Sequence, residues 1–131
     1  MAGASNVPEN LRYTKDHEWA EIKGNRARIG ITHHAQEALT DVVFVELPEV
    51  GEEFREHDSM GVVESVKSVN DIFAPLAGKV VAVNAALDDA PELMNKSPYG
   101  EGWFCEVELT TPADALKLMD AAAYRKLLES H

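Results

Sequence analysis

The stretch GVVESVKSVNDIFAP, Gly61 to Pro75, sets one positive charge, Lys67, between two valine-rich runs, with Glu64 and Asp71 as its nearest acids. As one strand, Gly61 to Phe73 would exceed the roughly 3–10 residues usual for a strand. The sequence therefore predicts two strands with a break near Lys67. A catalytic lysine needs burial or a cationic neighbour to lower its pKa. No second cation lies nearby in the sequence, which argues against Schiff-base chemistry. The pattern suits a lysine that is itself the substrate of a modifying enzyme, held at the tip of a rigid turn.

Working outward, EWAEIKGNRARIGIT reads as a hairpin, with strands Glu18–Ile22 and Arg26–Ile31 around Lys23-Gly24-Asn25. Thr32 is placed to cap a short helix, HHAQEAL, ending near Leu39. DVVFVELP, Gly51–Phe54 and GKVVAVN read as further strands, and DDAPELMN as a turn or short helical piece. GWFCEVEL alternates, with Trp103, Cys105, Val107 and Leu109 on one face and Phe104, Glu106 and Glu108 on the other. The tail puts Leu116, Met119, Ala123 and Leu127 on one helical face, with Asp120 able to cap a second helix and bend it. The whole reads as one β domain of about seven short strands with helices at its edges. Residues 1–10 are expected to be a flexible lead-in and 11–131 the domain. LPEVG (47–51) and APLAG (74–78) share Pro-x-x-Gly, which suggests two similar β units with Lys67 between them.

The chain has 131 residues, 45% hydrophobic, which is enough for one domain with its own core. Its one cysteine, Cys105, cannot form an internal disulfide and points to a reducing compartment. MAGASNVPEN has neither the basic and apolar parts of a secretory signal nor the arginines of a transit peptide. A bacterial cytoplasm is expected, or a mitochondrial matrix if a transit peptide has been removed. No apolar run nears the roughly 18 residues of a membrane span. A net charge of −11 disfavours nucleic acid and anionic lipid and favours proteins with basic patches.

Other chemistry finds little support. His33 and His34 are adjacent and point to different sides of a helix, so they suit surface or packing roles. His17-Glu18 is not part of a His-Glu-x-x-His zinc motif. Cys105 reads as a buried structural thiol, and DDAPE lacks calcium-loop spacing. There is no phosphate-binding glycine loop and no Gly-x-Ser-x-Gly elbow.

GVVESVKSVNDIFAPLAG resembles the lipoyl-attachment hairpin of the glycine cleavage system H-protein family. YTKDHEW, GITHHAQEAL, DVVFVELPEVG and SPYGEGW resemble further blocks of that family in the same order, so the similarity runs from about Leu11 to Leu128. Lipoyl domains also carry glycines 16 residues before and 11 after the lysine, the offsets of Gly51 and Gly78 from Lys67. Ser68 departs from the alanine common after the lysine.

The resemblance implies a mainly β lipoyl-type barrel-sandwich hybrid with a short internal helix and a C-terminal helical tail. It implies a monomeric carrier, not an enzyme, with lipoate in amide linkage on Lys67 as its cofactor. A pyridoxal-phosphate glycine decarboxylase would load an aminomethyl group onto the lipoyl arm. A tetrahydrofolate-dependent aminomethyltransferase would unload it, and dihydrolipoamide dehydrogenase would reoxidise the arm. Lipoate-attaching enzymes would read Gly51, Gly61, Glu64, Ser65, Val66 and Gly78. Glu18, His34 and Asp71 would line a cleft for the loaded arm.

The rival readings are a lipoyl domain of a 2-oxoacid dehydrogenase complex and a lipoate donor to other complexes. A biotinyl carrier typically has methionines flanking its lysine, where this chain has Val66 and Ser68. An enzyme using His17, Glu18, His33 or His34 would turn over substrate without modification.

Overall fold

The long run breaks where its length requires. In the structure, a computed structural model describing residues 6–130, Ser65 ends one strand and Val69 begins the next. Numbered along the chain, the strands are β1 (Arg12–Tyr13), β2 (Glu18–Lys23), β3 (Arg26–Ile31), β4 (Val42–Glu46), β5 (Glu53–Phe54), β6 (Ser59–Ser65), β7 (Val69–Phe73), β8 (Gly78–Val83) and β9 (Cys105–Leu109). The helices are α1 (His33–Leu39), α2 (Ala86–Asp89), α3 (Leu93–Lys96) and α4 (Ala121–Glu129), with a 3₁₀ turn at Pro112–Lys117.

The strands form two sheets. One has six strands in the order β1-β2-β3-β9-β8-β5, and the other has three in the order β4-β6-β7. β6 and β7 pair antiparallel from Glu64↔Val69 to Ser59↔Phe73, with an irregularity between Ser59 and Gly61. β7 is thus an edge strand. The inner faces of the two sheets meet in a core that includes Ile29, Val45, Val63, Ile72, Val80 and Val107. Burying each such side chain contributes roughly 1.5–3 kcal/mol. The architecture is mainly β, in two sheets, with short helices and a C-terminal helix.

The Pro-x-x-Gly echo has a structural counterpart. Its two glycine segments lie against each other, with Phe54↔Gly78 in register and the Gly51 amide donating to Val80 O at 2.8 Å. Gly51 has φ +100, a left-handed conformation that favours glycine. Gly78 is needed for a different reason: a Cβ there would meet the Glu108 carbonyl oxygen at 2.6 Å.

Two expectations are corrected. First, Phe104 is not on the outer face: it is fully buried. Period-two alternation starts only at Cys105, because Phe104 precedes β9, where its amide donates to Ile29 O at 2.7 Å. Second, Leu116, Met119, Ala123 and Leu127 do not share one helical face, although the second helix expected to start at Asp120 is there. Asp120 takes an extended backbone, accepts the Ala123 amide at 2.8 Å and starts α4 afresh. Leu116 is left 75% exposed, and Ala123 faces outward while Tyr124 is buried. Of the lead-in expected over 1–10, the structure describes residues 6–10, which touch the rest of the chain, while residues 1–5 lie outside the described residues. Val7 is 3% exposed and packs in a second cluster with Leu11, Tyr13, Trp19, Ala121 and Tyr124. Arg125 donates to Val7 O at 2.9 Å, and Tyr13 Oη donates to Pro8 O at 2.7 Å. The bond from Arg125 to Val7, 118 residues apart, leaves no mark in the sequence pattern.

Candidate functional site

Lys67 stands exposed in the three-residue link 66–68 between β6 and β7. Ser65 shapes that link. Its amide donates to Ser68 O at 2.8 Å, and its Oγ accepts the Lys67 and Ser68 amides, each at 3.1 Å. A buried hydroxyl thus satisfies two amides that a tight turn would otherwise leave without a partner. The Val66 amide donates to Asp41 O at 3.0 Å and ties the link to the segment before β4. The Lys67 ammonium donates to Ala38 O, in the last turn of α1, at 3.3 Å. That end of a helix carries partial negative charge and suits a cation.

The other residues expected to be read by a modifying enzyme divide in two. Glu64 is exposed and lies in register between Phe44 and Val69, themselves 51% and 65% exposed. Val66, 68% exposed, adjoins them, so the tip has an apolar surround with one acid in it. Gly51, Gly61, Ser65 and Gly78 face inward or shape backbone. At Gly61 a Cβ would collide with the Glu46 carbonyl oxygen and meet the Phe104 ring at 2.7 Å.

A cleft of about 560 Å³ opens beside the tip. It runs along the outer edge of β7, from Ser68 past Asn70 and Asp71 to Phe73, and is closed on the far side by the 15–18 segment and α1. Glu18 and Asp71, far apart in sequence, both line it. Asp71 is exposed, and its Oδ1 accepts the Ser59 hydroxyl at 2.9 Å.

Glu18 is 3% exposed. Its Oε1 accepts the Thr14 hydroxyl at 2.7 Å, and its Oε2 accepts the Phe73 amide on the β7 edge at 3.0 Å. Burial pushes its pKa up from 4.5 to about 7, against the lowering effect of those two hydrogen bonds. The cleft therefore holds a carboxyl poised near neutrality.

His34 is not among the lining residues. Its ring packs against that of His17, at a centroid distance of 4.5 Å, and His17 is the histidine in the cleft wall. Sequence reasoning missed Thr14 and Asn70, and offered His17 only as an acid–base group of the rival enzyme reading. The only available signal was His17's place next to Glu18. Its backbone φ of 69°, which turns it into the wall, leaves no mark in a one-dimensional pattern.

Fold and site together define a class: a two-sheet β domain that presents a lysine at a braced hairpin tip beside a half-polar cleft. Comparison with known proteins places it more narrowly. A family model described as "Glycine cleavage H-protein" matches residues 11–131. The chain is 55% identical over 120 residues to the glycine cleavage system H protein of Symbiobacterium thermophilum, covering 92% of this chain and 94% of that one. It is 53% identical over 123 residues to the same protein of Anaeromyxobacter sp. strain K, covering 94% and 96%. A crystal structure of a glycine cleavage system H protein from Mycobacterium marinum superposes with a TM-score of 0.86 at 42% identity, covering 94% of this chain and 99% of that one. The chain belongs to the glycine cleavage H-protein family. Among the described residues, no helix is long and apolar enough to cross a membrane.

Proposed function

We propose that this protein is a lipoyl-lysine carrier that shuttles the aminomethyl group of glycine from the decarboxylase to the aminomethyltransferase. Dihydrolipoamide dehydrogenase then restores it, and a bacterial cytoplasm is its setting. The observation that carries this reading is Lys67 on a braced tip, with a cleft leading away from it along β7. An exposed lysine suits attachment, and a cleft with two carboxyls suits the cationic amine of a loaded arm. When bound, lipoate supplies the reactive sulfurs. This chain supplies placement: Ser65 holds the tip, and Glu18 and Asp71 offer negative charge in the cleft. Near pH 7 an ammonium beside Glu18 favours its ionised form, so the cleft binds the charged arm in preference to the empty one.

Attachment is tested by mass. Lys67→Arg keeps charge and fold and is expected to take no lipoate from a lipoate-attaching enzyme, while the unmutated chain takes one. Lipoate found on Lys79 or Lys96 would falsify the assignment.

A further inference from the structure

The C-terminal helix touches the cleft wall from behind, through His17. Tyr124 of α4 is fully buried and stacks on Tyr13, with centroids 4.6 Å apart and planes 7° off parallel. Its hydroxyl lies 2.7 Å from His17 Nδ1 and 2.8 Å from Thr32 Oγ1. Thr32 in turn is fully buried, and its Oγ1 caps α1 by accepting the Ala35 amide at 3.2 Å.

These contacts fix a direction. The Thr32 hydroxyl accepts from Ala35, so its own proton needs an acceptor, and the oxygen in reach is that of Tyr124. A buried hydroxyl proton without a partner would carry a desolvation cost of roughly 1–3 kcal/mol. The Tyr124 proton is then directed to His17 Nδ1. The chain runs Ala35 N–H to Thr32 O–H to Tyr124 O–H to His17 Nδ1, each bond polarising the next. A neutral imidazole that accepts at Nδ1 carries its proton on Nε2.

We propose that Tyr124 is a positioning residue for the arm cleft: it holds His17 as the uncharged Nε2–H tautomer, and so makes α4 part of the site. The proposal rests on the carrier reading for what the cleft receives. The backbone supports it independently. His17 keeps φ 69° through its amide to Thr14 O at 3.1 Å and its carbonyl from the Thr32 amide at 3.0 Å, and this turn sets the ring in the wall. Among the described residues, charged or titratable groups near it include Lys15, Asp16 and Glu18 on its own segment, His34 on α1, Tyr124 on α4 and Asp71 across the cleft. With His17 uncharged, the cleft adds no like charge from this ring against a cationic amine.

The test has two arms. In the unlipoylated protein, nitrogen–proton NMR of the imidazoles should show His17 as one Nε2–H tautomer. Tyr124→Phe, which keeps the stack on Tyr13, should give a mixture. An Nδ1–H or mixed signal in the unmutated protein would overturn the proposal. In equally lipoylated and loaded proteins, Tyr124→Phe and His17→Asn (asparagine tolerates positive φ) should each lose formaldehyde and ammonia about fivefold faster, the effect of one lost hydrogen bond. Unchanged loss in both would remove the pair from the cleft's work. Failure of Lys67 to take lipoate would overturn the carrier reading instead, and the tautomer spectrum would still decide the linkage.

Discussion

Ser65 and Glu18 show how much rests on single side chains. Ser65→Ala removes the acceptor shared by two tip amides, a loss of about 1 kcal/mol. The fold should survive, while exchange of the Lys67 and Ser68 amides speeds up and lipoylation slows. Exchange and modification at the original rates would mean the turn is held by other contacts. At Glu18 the sign follows from burial. Its folded pKa, about 7, lies above its ordinary value of 4.5. Between those values the folded chain binds more protons than the unfolded one, so this group's contribution to stability falls as pH rises through that window. Glu18→Gln removes the titration. Its stability relative to the unmutated protein should therefore improve from pH 5 to pH 8, by on the order of 2 kcal/mol. Urea melts at the two pH values read this directly, and a gap that does not grow refutes it.

At the level of elements, the hairpin was legible because its signals are local. A run too long for one strand, a lysine at its centre and valines on both sides gave the break within a residue or two. The β2–β3 hairpin and the Thr32 cap were legible for the same reason. The cleft was only half legible. Glu18 and Asp71 were expected in it, yet their convergence depends on β7 being an edge strand beside the segment before β2, a tertiary fact. His34, expected in the wall on the resemblance alone, instead packs behind it against the His17 ring. In the tail the cap at Asp120 was legible, but the face drawn across it was not, because Leu116 lies in a 3₁₀ turn before the new helix starts. Gly78 carries the prediction at this scale. A valine there must displace the Glu108 carbonyl and so disturb the β8–β9 register, at a cost of about 1–3 kcal/mol. Gly78→Val should lower both melting temperature and lipoylation rate, while Lys79→Ala, at an exposed neighbour, changes neither. Equal behaviour of the two variants would remove the backbone frame from recognition.

For the molecule as a whole, charge sets how partners find it. A net charge of −11 gives a field that steers basic surfaces towards it, and salt screens exposed charges beyond roughly 8–10 Å. The apparent Michaelis constant of the decarboxylase for this protein should therefore rise with ionic strength. A value indifferent to salt would assign docking to the apolar residues around the tip, Phe44, Val66 and Val69. The open margin of the small sheet has one more consequence. An edge strand offers spare amides and carbonyls to any strand that comes alongside, and so invites chains to stack into aggregates. At the far end of β7 that invitation is declined from within: the Phe73 amide is already taken by a buried carboxyl, and the 15–18 segment forms the facing wall of the cleft. The carboxyl proposed to greet a loaded arm thus also gives one end of this open margin a partner within its own chain.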